Sequence, residues 1–104
     1  MARYNEKRIA YVTQDKLLGI LSQTFSKLGK SKAIHDFLKD LLNRQERAML
    51  TRRLLIAQFL VDGVTYSDIQ KKLKCGASTI AKVERWLNFG RGGYRTALYK
   101  RNKN

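Results

Sequence analysis

VTYSDIQKKLKCGASTIAKVERWL, residues 64–87, is the most strongly patterned stretch of the chain. Thr65 and Asp68 have capping-box spacing, which predicts the start of a short helix. Cys75 and Gly76 then predict a tight turn, where Gly76 suits a backbone conformation that would strain a residue with a Cβ. A second helix is predicted to follow. The order helix, short turn, helix is typical of a helix-turn-helix, whose second helix enters the major groove of DNA.

The charge balance points to a polyanionic partner. The 104 residues include 22 Lys and Arg against 8 Asp and Glu, a net charge of +14. This charge favours binding to nucleic acid, either DNA or RNA. The apolar share is 43%, there is no proline, and apolar residues recur at helical rather than alternating spacing. The chain is therefore predicted to be all-α, with five to six helices.

Several classes of function are not expected. No apolar run approaches the length of a membrane span, and the first residues lack the apolar segment of a signal peptide, so a cytoplasmic protein is predicted. Cys75 and His35 supply too few ligands for a metal site. The sequence contains no glycine-rich phosphate-binding motif. We therefore predict that the protein is not an enzyme and has no catalytic residue, metal or other cofactor.

The helices that precede the motif are predicted from capping residues and apolar periodicity. Thr13 is expected to cap a first helix and Ser31 a second. Asn43 and Glu46 form a capping-box pattern for a third helix, which ends at Gly63.

Glycines are predicted to end the fifth helix, and a short last helix is expected over residues 94–99. The chain then divides into an amino-terminal arm, a helical domain with its helix-turn-helix at about 65–88, and a basic tail: residues 1–11, 12–94 and 95–104. The first two helices are amphipathic, and a chain of 104 residues can bury only part of their apolar surface. An intertwined homodimer is therefore expected, with a compact monomer as the alternative.

Eight residues of the motif are predicted to contact DNA. Ser78 and Thr79 lie in the first turn of the second helix, where their hydroxyls reach base edges or only cap the helix. Lys82 lies one turn further on the same face, and Ala77 suits contact with a thymine methyl. The remaining four are assigned to phosphates, with an ordinary solvated face as the alternative: Lys71, Lys72, Lys74 and Arg85.

The segment from Leu41 to about Leu87 resembles the tryptophan repressor superfamily. The matching pieces are NRQER at 43–47, RLLI at 53–56, Gly63 and CGASTI at 75–80. The continuation LNFGRGGY at 87–94 is similar to the Trp-repressor-related (YerC/YecD-like) branch. The resemblance implies an all-α homodimer with interlocked amino-terminal helices and two helix-turn-helix units. It also implies a bacterial, nucleoid-associated transcriptional repressor that binds double-stranded DNA.

The resemblance also implies ligand-pocket positions, and there the sequence departs from the family. In the true repressor two arginines sandwich the tryptophan indole; the first matches Arg53 and the second falls on Lys82. The glycine that leaves room for the indole falls on Val83, a ligand-contacting threonine on Asn43, and a serine on Trp86. Lysine cannot stack as a planar guanidinium does, and valine occupies space that the indole needs. We predict no tryptophan binding, with Val83 and Trp86 filling the ligand's place and holding a DNA-competent pose.

The leading interpretation is a sequence-specific DNA-binding regulator. The alternative is a non-specific DNA- or RNA-binding protein of the nucleoid type, whose affinity depends strongly on salt and little on sequence. A third interpretation, a protein-interaction module, is disfavoured by the basic residues of the motif.

Overall fold

The computed structural model describes residues 5–98, and every regular element in that range is helical. This confirms the all-α prediction. The chain divides into two compact units, with the boundary between Leu41 and Leu42. Within the described range, none of the helices is both long enough and apolar enough to cross a membrane.

The first unit contains a short 3-10 helix, Glu6–Arg8, followed by α1, Tyr11–Leu28, and α2, Ser31–Leu41. The rings of Phe25 and Phe37 join the two α-helices edge to face, with centroids 6.0 Å apart. No residue of α1 or α2 is buried. Five large hydrophobic side chains of α1 are at least half exposed: Tyr11, Val12, Leu17, Leu18 and Ile20.

The predicted caps of these two helices are wrong. Helix α1 begins before Thr13, because the carbonyl of Ala10 already accepts the backbone N–H of Gln14 at 3.0 Å. Ser31 is the first residue of α2, since the carbonyl of Lys30 accepts a helical N–H at 3.0 Å. Both hydroxyl residues therefore lie inside a first turn and do not precede one.

The second unit contains four helices: α3, Arg44–Val61; α4, Tyr66–Leu73; α5, Ala77–Phe89; and α6, Gly93–Ala97. Helix α3 begins with a complete capping box, as predicted. The Asn43 side chain accepts the backbone N–H of Glu46, and the Glu46 carboxylate accepts the backbone N–H of Asn43, both at 2.9 Å. Gly63 follows the end of α3 with a φ of +84°, which reverses the chain toward α4.

The core of this unit lies between α3, α4 and α5. Ile56, Ile69 and Ile80, one from each helix, are fully buried, and Val83 and Leu87 extend this face of α5. Helical spacing puts Ile80, Val83 and Leu87 on one face of α5, and all three are buried. Helices α4 and α5 therefore turn one face each toward α3 and leave the opposite faces to solvent.

The short last helix that the sequence predicted over residues 94–99 is present as α6. It runs to Ala97, and Leu98 packs against the core. The Arg95 guanidinium donates to the Asn88 side-chain oxygen at 2.9 Å, which ties α6 to α5. Most of the predicted arm, residues 5–11, is described, whereas residues 1–4 of that arm and 99–104 of the tail lie outside the described residues.

Candidate nucleic-acid interface

Helices α4 and α5 form the helix-turn-helix that the sequence predicted. The hydroxyl of Thr65 accepts the backbone N–H of Asp68 at 3.2 Å and caps α4. Helix α5 begins at Ala77, with Gly76 as its N-cap. No side chain caps that end, so the first backbone N–H groups of α5 remain available to an anion such as a phosphate.

The left-handed residue of the turn is Lys74 and not Gly76, which corrects the prediction for the glycine. Lys74 ends α4 with φ 52° and ψ 51°, and its N–H donates to the carbonyl of Gln70 at 2.8 Å. Gly76 has φ −86° and ψ 162°, an extended conformation open to any residue, and a Cβ there would meet no atom within 4 Å. The chain has already reversed at Lys74, so nothing in the backbone requires a glycine two residues later.

The outer side of α5 carries four of the eight side chains predicted to contact DNA. Ala77, Ser78, Lys82 and Arg85 are exposed, opposite the buried face of the same helix. We call these four residues the reading face. Thr79, the fifth candidate on α5, is half-buried, and it lines a groove beside the helix.

The lysines predicted to hold phosphates lie at the end of α4, next to the start of α5. Lys71, Lys72 and Lys74 are all exposed. In the described range the ion pairs involve Lys32 and His35 with Asp36, far from this lysine cluster in sequence. The three ammonium groups thus have no carboxylate partner among residues 5–98 and remain available to phosphate oxygens.

A groove of about 790 Å³ opens between α3, α5 and α6. Four cationic side chains line it together with apolar and aromatic ones, and no carboxylate does: Arg52, Arg53, Lys82 and Arg91. The sequence assigned Arg52, Arg91 and Tyr94 to no binding site. Only the folded arrangement of three helices reveals that they share one groove.

The structure brings together four of the five positions that the resemblance assigned to a ligand pocket. Arg53, Lys82, Val83 and Trp86 all line the groove. Asn43 does not, because its side chain caps α3. Val83 is buried in the core at 5% exposure, whereas Trp86 is 65% exposed on the wall of the groove. Within one chain, Trp86 therefore leaves the groove open.

One contact between α4 and α5 carries no signal in the sequence. The hydroxyl of Tyr66 donates to the carboxylate of Glu84 at 2.5 Å, across 18 residues of chain. This hydrogen bond, with burial and the negative charge of Glu84, raises the pKa of Tyr66 above its ordinary value. The hydroxyl therefore keeps its proton at neutral pH and acts as a donor.

Comparison with known proteins places this helical arrangement in a family. The sequence model for the Trp repressor protein matches residues 16–102. The chain belongs to the Trp repressor family. It is 35% identical over 88 residues to YerC of Bacillus subtilis, a protein described as uncharacterized, and the match covers 81% of this chain and 85% of YerC.

Two solved structures share the fold of this Trp repressor family member. A TrpR-like protein from Eubacterium eligens is 30% identical, with a TM-score of 0.65 over 89% of this chain and 91% of that one. A candidate Trp repressor from Staphylococcus aureus is 23% identical and has a TM-score of 0.69 over 91% of both chains. The family match and these folds support a DNA-binding regulator of the Trp repressor-like class.

Proposed function

We propose that the protein is a sequence-specific transcriptional regulator, most simply a repressor, that inserts α5 into the major groove of DNA. The observation that carries this proposal is the two-sided character of α5. Its inner residues are buried against α3 and α4, while the reading face is exposed beside three exposed lysines of α4. Side chains on such a helix can contact base edges, and the neighbouring cations can hold phosphates.

Within this proposal the residues have distinct roles. Ser78, Thr79 and Lys82 contact base or groove edges, and Ala77 contacts a thymine methyl. Phosphate contacts fall to three cations at the end of α4 and one on the reading face: Lys71, Lys72, Lys74 and Arg85. The uncapped start of α5 adds backbone N–H donors to the same phosphate surface.

The working unit in this proposal is a homodimer. The α1 side chains of Leu17 and Leu18 are 50% and 58% exposed, although both are apolar. A second copy of the chain would remove this surface from water, as expected in a family with interlocked amino-terminal helices. Two copies of α5 related by a twofold axis would then read half-sites about one helical turn of DNA apart.

We further propose that DNA binding does not require tryptophan. Lys82 lines the groove where the family's second arginine would stack, and an ammonium group cannot replace that planar surface. Val83 presents a β-branched side chain where the family has glycine. Isothermal titration of the protein with L-tryptophan should give no binding in the micromolar range, with or without bound DNA. Micromolar binding would contradict this part of the proposal.

The function is tested by selecting bound sites from randomised duplex DNA at near-physiological salt, without added ligand. We expect enrichment of a palindrome with a fixed half-site spacing. The net charge of +14 favours a second candidate, a non-specific DNA- or RNA-binding protein. Recovery of unselected sequences, with binding lost steeply as salt rises, would support this second candidate and contradict the first.

A further inference from the structure

The hydrogen bond between Tyr66 and Glu84 joins α4 and α5, the two helices of the helix-turn-helix, at a distance from the turn that connects them. Tyr66 is the first residue of α4, and Glu84 lies past the middle of α5. Their side chains meet at 2.5 Å, and both are half-buried. This side-chain contact thus holds the two helices together in addition to the covalent turn at 74–76 and the core that they share through Ile69 and Ile80.

Tyr66 is itself firmly placed. Its ring packs against the core formed by Ile56, Ile69 and Ile80, and this packing fixes the position of the hydroxyl. A donor fixed in this way restricts the rotation of α5 about the turn more than a donor on a flexible surface side chain would.

Glu84 is the only acidic residue of α5. On a helical wheel it lies on the α4 flank of the buried face, whereas Thr79 and Trp86 lie on the flank that lines the groove. A carboxylate that turned toward the reading face would repel phosphates and offer a wrong acceptor to base edges. The bond to Tyr66 holds this carboxylate toward α4.

We infer that Tyr66 and Glu84 form a clamp that fixes the orientation of α5 relative to α4 and thereby sets discrimination between the operator and other DNA. This inference rests on the proposed function. Base readout requires side chains that lie within about 0.5 Å of the positions where they can contact base edges, so it depends on the orientation of α5. Phosphate attraction depends mainly on charge and is nearly independent of that orientation. Tyr66 and Glu84 are therefore positioning residues, and they need not touch DNA.

Two variants separate the clamp from simple structural support. Tyr66→Phe keeps the ring in the core and removes only the hydroxyl donor. Glu84→Gln keeps an oxygen that can accept from Tyr66 but removes the negative charge. Both are measured by fluorescence anisotropy on the selected operator and on a scrambled duplex, at a temperature where circular dichroism shows the variants to be folded.

Loss of the Tyr66 hydroxyl should lower operator affinity by roughly tenfold, because the hydrogen bond that fixes the orientation of α5 is then missing. Affinity for scrambled DNA should change by less than about twofold, with the same dependence on salt. Glu84→Gln should keep operator discrimination within about threefold of the wild type. Addition of Glu84→Gln to Tyr66→Phe should cause no further loss of discrimination, because the two groups act through one bond.

Three outcomes would overturn the clamp: operator affinity unchanged in Tyr66→Phe, an equal loss on operator and scrambled DNA, or a loss in Glu84→Gln as large as that in Tyr66→Phe. A measurement without DNA keeps the test independent of the proposed function. Residual dipolar couplings of α4 and α5 should report a changed or less ordered relative orientation in Tyr66→Phe. An unchanged orientation would reject the clamp, whereas a wild-type protein that selects no DNA sequence would reject only the proposed function.

Discussion

Gly90 explains why α5 ends where it does. It is the C-cap of the helix, and its N–H donates to the carbonyl of Trp86 at 2.9 Å. A Cβ on Gly90 would lie 2.4 Å from that same carbonyl oxygen, a distance at which backbone must move. Gly92 follows with a φ of +82°, which favours glycine for a different reason. The glycine-rich ending therefore reflects two separate backbone constraints.

Gly90→Ala should destabilise the fold by about 1–3 kcal/mol, because the new methyl group meets a backbone carbonyl that cannot rotate away. Thermal unfolding followed by circular dichroism should show a fall in Tm of several degrees. Gly93→Ala is the matched control, since a Cβ there meets nothing within 4 Å. A fall of equal size in both variants would show that the contact with Trp86 is not the cause.

Lys72→Ala tests the phosphate role of the α4 lysines. The side chain is exposed, so its loss should leave the fold intact. Binding should weaken by up to roughly tenfold near 0.1 M salt, equally for operator and scrambled DNA, and the salt slope should fall by about one. Anisotropy titrations at several salt concentrations measure the affinity and the salt slope. Lys39→Ala, an equal loss of charge on α2, should have a smaller effect; a change of sequence preference alone in Lys72→Ala would contradict the assignment.

At the scale of single residues, the sequence predicted which faces of the helix-turn-helix would be exposed, because burial follows from helical spacing. It did not predict that Lys74 carries the left-handed conformation. Glycine adopts the left-handed conformation at a lower energy than lysine does. Only the direction of the following helix decides which residue reverses the chain. Nor did the sequence reveal the bond between Tyr66 and Glu84, since no local pattern links residues 18 positions apart.

The capping box at α3 is the clearest case of an element specified by local sequence. Asn43→Ala should destabilise the protein by about 1 kcal/mol, because two backbone groups at the helix start lose their arrangement with Glu46. Denaturant unfolding measures this change. Asn43→Ser, which keeps an acceptor oxygen, should restore most of the stability. Equal destabilisation by both variants would mean that the cap is not what Asn43 contributes.

The failed caps at α1 and α2 show the limit of such local patterns. Thr13 and Ser31 have suitable side chains, but a hydroxyl in the first turn and a hydroxyl just before it look alike in a sequence. The choice depends on which carbonyl first accepts a helical N–H, here those of Ala10 and Lys30. Local patterns also do not reveal the full lining of the groove, because that lining comes from three helices that are separate in sequence.

At the scale of the whole molecule, Leu18→Asp tests the proposed homodimer. Leu18 is 58% exposed, and a charge there would be buried against a second copy. Analytical ultracentrifugation should show two chains per particle for the wild type and at least a tenfold weaker association for the variant. Gln23→Asp, an exposed position on the other side of α1, is the control. A wild type with the mass of one chain, or an unchanged assembly in Leu18→Asp, would contradict this prediction.

The absence of buried residues in α1 and α2 has a consequence for the life of the protein in a cell. Until the proposed homodimer forms, a newly made chain displays apolar helices of the kind that chaperones and proteases recognise. Association would hide them, so the rate of degradation should fall as the protein accumulates. The half-life of this regulator would then depend on its own abundance, which would make its level respond abruptly to small changes in synthesis.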